Sequence, residues 1–246
     1  MTKVAVITGA NRGLGFATAR LLGRAGVRVL VGARTLAKSE DAVARLRREG
    51  LDAEPLVIDV QSVAGVREAA AHVERRCGRV DILVNNAGIL PEATREDADL
   101  PLDLSLFRET FETNVFGAVS VTKAFLPLLR KSASGRIVNV SSTMGSLTDQ
   151  SDPSSPYHGL VVPAYQMSKA ALNGFTIALS KLLADTPMKV NSVCPGWVQT
   201  DLGGPENRAA APTTADAAAR IVVEMASIPA DGPTGTFVDR TGAVPW

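Results

Sequence analysis

The chain has 246 residues, of which 46% are hydrophobic but only 4% aromatic, and a formal net charge of +1 with acidic and basic residues interspersed. That length suits one α/β domain with a sizeable aliphatic core, and the charge balance gives no support for nucleic-acid or anionic-membrane binding. Cys77 and Cys194 lie far apart and form neither a disulfide framework nor a zinc site. No apolar run suits a membrane span, and the chain begins on a strand rather than a leader peptide, so a cytoplasmic enzyme is the default reading.

Strand-like and helix-like segments alternate along the sequence. Lys3–Thr8 is an apolar run ending at a glycine, and residues 14–25 carry helical spacing. A strand over 27–31 follows, then an amphipathic helix over 36–49 and the buried end of a strand at Leu56-Val57-Ile58, tempered by Pro55. Next come a helix over 63–76, a strand over 80–84 and a long helix over 104–126. Strands at 136–140 and 189–193 flank a helix over 164–184, and a helix over 214–227 and a strand over 235–238 complete the pattern. Apolar strands alternating with helices predict a doubly wound parallel sheet of about seven strands in a single domain over 1–246, covered by helices on both faces. Residues 145–163 break the rhythm: Ser, Asp, Pro, Tyr and His without periodicity, just past a strand end where ligands bind in such sheets.

The first strand–helix turn reads Thr8-Gly9-Ala10-Asn11-Arg12-Gly13-Leu14-Gly15. Glycines there let the backbone approach a pyrophosphate while amides at the helix N-terminus point at it. Folds that bind NAD usually place an acid about 20 residues on, at the ribose 2′-hydroxyl. Here Ala33 occupies that place and Arg34 follows it. A guanidinium suits a phosphate, and Arg12 could flank the same group; either arginine alone reads as a solvated surface residue. The pair, with the acid missing, points to 2′-phosphate recognition and hence to NADPH/NADP.

Tyr165 and Lys169 are four residues apart on a predicted helix and share a face. A phenol with a pKa near ~10 works as an acid or base at neutral pH only if its anion is stabilised, and a neighbouring ammonium does that. Tyr157, the one other tyrosine, has Val161 in the corresponding place. Ser142 ends a strand at the same rim, where its hydroxyl could hydrogen-bond a carbonyl oxygen; strand alternation points its neighbour Ser141 the opposite way. No His, Cys and carboxylate cluster offers a metal site, so no metal is expected. Cys194 reads as a small packing residue, and His72 as a helix-surface residue.

Taken in order, Thr8–Gly15, Asn85-Asn86-Ala87-Gly88, Ser142, Tyr165-Gln166-Met167-Ser168-Lys169 and Pro195-Gly196 resemble the signature of the short-chain dehydrogenase/reductases over nearly the whole chain. Asn11-Arg12 with Ala33-Arg34, and Cys194 through Asp201, are most similar to the NADPH-dependent carbonyl reductases. The resemblance implies a Rossmann-type fold and hydride transfer from NADPH to a ketone or aldehyde, with Tyr165 as proton donor and Ser142 polarising the carbonyl. It further implies that Lys169 holds the nicotinamide ribose and that Asn114 anchors a water in a proton relay. Asp59 and Val60 would flank the adenine. Pro195, Gly196, Val198 and Thr200 would line the nicotinamide. Asn86 has two readings, a contact on the adenosine side or an amide that braces neighbouring strands. A cofactor-binding sensor without turnover would typically have lost Tyr165 or Lys169. An epimerase would usually carry more chain after Thr200. Alcohol dehydrogenation uses the same site in reverse. The expected partner is a small carbonyl compound whose identity depends on residues 89–100, 145–163 and 201–212; homodimer and monomer are both open. Residues 145–163 exceed the usual gap in short relatives and are expected to form a loop, with at most one short helical turn, over the substrate mouth, with Tyr157, His158 and Leu160 facing the pocket.

Overall fold

The computed structural model describes residues 2–95 and 102–246, so the part of the substrate segment at 96–100 lies outside the described residues. The central strands are buried on both faces, and the strands assemble in the order β3-β2-β1-β4-β5-β6-β7-β8. These are β1 (Val4–Ile7), β2 (Arg28–Ala33), β3 (Ala53–Val57), β4 (Ile82–Asn85), β5 (Arg136–Val140), β6 (Lys189–Val193), β7 (Phe237–Asp239) and β8 (Gly242–Ala243). Every pairing is parallel except β7 with β8. The described sheet therefore has eight strands rather than about seven. The extra one is the return of a tight turn in which Asp239 accepts from the Thr241 amide at 2.7 Å, and two residues carry no periodicity to read.

Side-chain alternation divides the core into two layers. Ala5, Ile7, Val29 and Val31 face α1 (Gly13–Arg24), α2 (Leu36–Arg48) and α9 (Ala215–Ser227). Val4, Val6, Leu30 and Leu83 face α3 (Val63–Cys77), α5 (Ala118–Leu129) and α7 (Pro163–Leu182). The strand order reverses between β1 and β4, which opens a crevice at the carboxyl ends of those strands.

Two regions depart from the sequence reading, whereas residues 145–163 do not. The long helix predicted over 104–126 is α4 (Leu104–Phe111), a π-helical segment over Glu112–Gly117, then α5 to Leu129. A π-turn adds one residue without interrupting the apolar stripe, and such turns gather at functional sites. The segment 145–163 contains one short helix, α6 (Leu147–Ser151), followed by turns. Pro163 opens α7, at the first helical position where a missing N–H costs nothing. The irregular stretch expected over 201–212 is largely a 3₁₀ turn, Asp201–Gly203, and α8 (Gly204–Ala210).

Candidate active site

The crevice is floored by the glycine turn between β1 and α1. Gly9 and Gly13 hold φ of +62° and +55°, where side chains are strained. A Cβ on Gly15 would lie 2.5 Å from Asn86 Nδ2 and 2.6 Å from the Gly9 carbonyl oxygen. Arg12 is the N-cap of α1 but provides no side-chain cap, and the first turn contains no acid. The leading amides of α1 thus open onto the crevice with the positive end of the helix behind them, a site suited to a pyrophosphate. Asn86 spends its side-chain amide on this turn, donating to the carbonyls of Thr8 at 2.8 Å and Gly9 at 3.1 Å. The bracing role of Asn86 is therefore visible in the geometry.

Around the rim, the two arginines are not brought together by any contact. Arg34 is exposed and makes no hydrogen bond or ion pair among the described residues. Arg12 donates to Asp201 at 2.6 Å, and Arg208 donates to the other oxygen of that carboxylate at 2.7 Å. Asp59 is half-buried, and its Oδ1 accepts from the Gln61 amide at 3.1 Å. Val60 packs against Gly117 so closely that a Cβ there would meet it at 2.8 Å.

Beyond β5 and β6 the side chains are held on every side. Tyr165 and Lys169 occupy the first turns of α7 and are both buried. The Lys169 ammonium donates to the Val140 carbonyl at 2.8 Å and lies 5.4 Å from the centre of the Tyr165 ring. Burial, with a smaller contribution from Cys194, raises the pKa of the phenol above the ordinary 10.0, and the neighbouring Ser142 hydroxyl opposes that rise. Burial lowers Lys169 from 10.5 to about 8. Asn114 sits in the π-segment, 1% exposed. Its Oδ1 accepts from the Ile89 amide at 2.9 Å, and its Nδ2 donates to the Ile89 carbonyl at 3.0 Å and to Ser168 at 3.0 Å.

The segment after β6 closes the crevice from above. Gly196 turns the chain at φ +81°, just after Pro195. Val198 bridges to Thr213, and the Thr200 amide donates to the Val198 carbonyl at 2.7 Å. The Thr200 methyl lies 3.2 Å from where a Gly13 side chain would begin, so this segment reaches over the glycine turn. A neighbouring cleft of about 640 Å³, lined by Gln199, Asp201, Pro205 and Arg208 among others, contains none of Ser142, Tyr165 or Lys169. In the 145–163 segment Tyr157 is half-buried while His158 and Leu160 are exposed, and His158 Nδ1 pairs with the Gln150 carbonyl at 3.0 Å.

Some supporting residues were invisible to sequence reasoning. Cys194 is more than filler: its sulfur accepts from the Thr143 amide at 3.2 Å and the Thr143 hydroxyl at 3.0 Å, pinning the turn that carries Ser142. Gly145 seats that turn on α7, since a Cβ there would strike Lys169 at 2.6 Å. Glu92, buried in the segment after β4, accepts from the Ala164 amide at 2.9 Å and the Tyr165 amide at 2.8 Å. No local pattern predicts a contact 72 or 73 residues distant. Asp201 and Arg208 could have been flagged as charges near the family motif, though not as partners of Arg12.

A glycine-turned crevice at the switch point of a doubly wound sheet, joined to buried Tyr165, Lys169 and Asn114 with Ser142 half-buried beside them, defines a dinucleotide-dependent oxidoreductase architecture. The short chain dehydrogenase family model matches residues 3–211, and the chain belongs to that family. The short-chain dehydrogenase anuI of Penicillium roqueforti is 40% identical over 81% of this chain and 80% of its own. Carbonyl reductase [NADPH] 1 of Sus scrofa is 32% identical, with 100% of this chain and 94% of the relative covered. Among solved structures, the NADPH-bound carbonyl reductase from chicken fatty liver superposes with a TM-score of 0.83 at 27% identity, covering 100% of this chain and 99% of that one. Salutaridine reductase from Papaver somniferum gives a TM-score of 0.82 at 29% identity, covering 96% and 99%.

Proposed function

We propose that this chain is an NADPH-dependent carbonyl reductase that acts on a ketone or aldehyde, with Tyr165 as the proton donor. The observation that carries the reading is the Tyr165 phenol, buried, influenced by the Ser142 hydroxyl and one helical turn from the buried ammonium of Lys169. The likeness to carbonyl reductases named for or bound to NADPH supports the cofactor.

The residues fit a dinucleotide. The uncapped amides at the start of α1 and the space preserved by Gly9 and Gly15 suit its pyrophosphate. Arg34, exposed and without a hydrogen bond or ion pair among the described residues, suits a 2′-phosphate beside Ala33. Arg12 joins it by leaving Asp201. Asp59, Val60 and Asn86 border the adenosine side, and Pro195, Gly196, Val198 and Thr200 the nicotinamide side. When bound, NADPH supplies the hydride and becomes a positively charged ring. Tyr165 gives its proton to the carbonyl oxygen, on which charge develops. Burial keeps the phenol protonated at neutral pH, as a donor requires. Ser142 supplies a second hydrogen bond at that oxygen. Lys169, ionised below about pH 8, lowers the cost of the phenolate left behind and holds the ribose. Asn114 and the Ile89 carbonyl anchor the water that returns the proton.

Reduction is the proposed direction because a 2′-phosphate site selects the pool that cells keep reduced. A sensor without turnover is disfavoured by the retention of Tyr165 and Lys169. Following NADPH oxidation with aldehydes, diketones, quinones and keto esters tests the reading. Turnover of at least one class is expected; binding without turnover across all of them would leave the sensor. Deleting 151–159 should alter substrate preference or KM and spare NADPH affinity. Light scattering on intact and deleted forms reads the oligomer: a monomer that dimerises only after deletion makes this segment a block.

A further inference from the structure

We propose that Glu92 is a positioning residue for Tyr165, and that the short strap it belongs to ties the catalytic helix to Asn114 and to the wall of the substrate mouth. The inference rests on the assignment of Tyr165 as proton donor given above.

The N-terminus of α7 cannot cap itself. Val162 provides no side-chain cap, and Pro163 has no N–H. The first amides needing acceptors belong to Ala164 and Tyr165, both buried. A short polar residue at the N-cap would have met that need locally. Instead the acceptor is a carboxylate from the β4–α4 connection, with one oxygen on each amide. Glu92 is 8% exposed and accepts from the two amides at 2.9 and 2.8 Å. A buried carboxylate is costly to desolvate, and hydrogen bonds to charged groups are among the stronger ones, so this clamp tolerates little displacement.

The strap is fixed at both ends. Three residues before Glu92, the Ile89 amide and carbonyl are both held by Asn114. Between them a 3₁₀ turn, Pro91–Ala93, sets the direction of the carboxylate. On its outer side the turn borders α8: a Cβ on Gly204 would lie 3.6 Å from the Thr94 methyl and 3.8 Å from the Ala93 carbonyl oxygen. One short segment thus touches the π-segment, the catalytic helix and α8. Glu92 acts on the phenol through the backbone that carries it, so its loss should displace Tyr165 relative to Ser142 without touching the dinucleotide crevice.

The test compares wild type, Glu92→Gln, Tyr165→Phe and the double variant in turnover, KM for the carbonyl compound and NADPH affinity by fluorescence titration. Glu92→Gln keeps the shape and one acceptor, so folding is preserved; Glu92→Asp, one methylene shorter, is the second probe of reach. A misplacement of ~1 Å can cost ~10²-fold in rate, so kcat should fall about tenfold to a hundredfold in Glu92→Gln, with KM and NADPH affinity unchanged. Because Glu92 acts through Tyr165, the double variant should be no slower than Tyr165→Phe alone. Wild-type kcat in both Glu92 variants overturns the inference, as does a loss that persists in full in the Tyr165→Phe background or is matched by lost NADPH affinity. If Tyr165→Phe itself retains full turnover, the assignment of the proton donor has failed, and the inference with it. If Tyr165→Phe is inactive while both Glu92 variants turn over at the wild-type rate, the inference alone has failed.

Discussion

The two ends of the crevice are built on opposite plans. At the reacting end, Asn114, Tyr165 and Lys169 are buried and each is held by protein before any ligand arrives. At the proposed phosphate end, Arg34 is exposed with no hydrogen bond or ion pair among the described residues, and Arg12 is exposed and paired with Asp201. The contrast follows from what each end handles. A proton donor must be aligned to a fraction of an ångström, and prior ordering removes that cost from the reaction. A phosphate brings a full charge and several acceptors, so long flexible cations can close on it after arrival.

Damage to the reacting end should therefore appear in kcat, and damage to the phosphate end in cofactor affinity. The largest effect is expected for Lys169→Met: turnover should drop by the ~10²–10⁴-fold typical of a positioned proton-transfer group. A comparable drop from Arg34→Ala at saturating NADPH would erase the distinction. Arg34→Ala should instead weaken NADPH binding by about 1.5–3 kcal/mol, the range for a hydrogen bond to a charged group, and leave NADH nearly unaffected; titrating both cofactors reads this directly.

Proton linkage sharpens the same contrast. Lys169 titrates near 8 in the folded, cofactor-free chain against 10.5 ordinarily, because burial disfavours its charge. Turnover should fall as pH rises through about 8 and the ammonium is lost. Stability should move the other way. Between about 8 and 10.5 the unfolded chain keeps a proton that the folded chain has released, so stability from this group rises with pH across that window. A rate that stays flat to pH 10 would count against a working ammonium at this position. The smallest effect belongs to Asp201→Asn. Exposed ion pairs contribute ~0.2–1 kcal/mol, so freeing Arg12 should tighten NADPH binding by about twofold to fivefold, more at low salt than at high; weaker binding would mean that Asp201 presents Arg12 rather than withholding it.

What could be read beforehand divides in a similar way. β5 and β6 were legible to the residue because their Val- and Ile-bearing stretches start just after the breaks at Gly135 and Pro187. Tyr165 and Lys169 were legible because chemistry at a helical spacing is local. The π-segment around Asn114 was not, since one added residue leaves the hydrophobic stripe intact. The supports of the site, Glu92 on α7, Cys194 under Thr143 and Asp201 on Arg12, join positions 51 to 189 residues apart. Such contacts are products of the tertiary fold, and no periodicity encodes them.

The central claim is that the buried phenol of Tyr165, and not the partly exposed one of Tyr157, delivers the proton. Tyr165→Phe and Tyr157→Phe each remove a single hydroxyl, so NADPH titration and steady-state NADPH oxidation on the two variants isolate the role of each. The account predicts that both bind NADPH like wild type, that Tyr165→Phe has lost turnover and that Tyr157→Phe has kept it. Turnover surviving in Tyr165→Phe, or abolished in Tyr157→Phe, would contradict it.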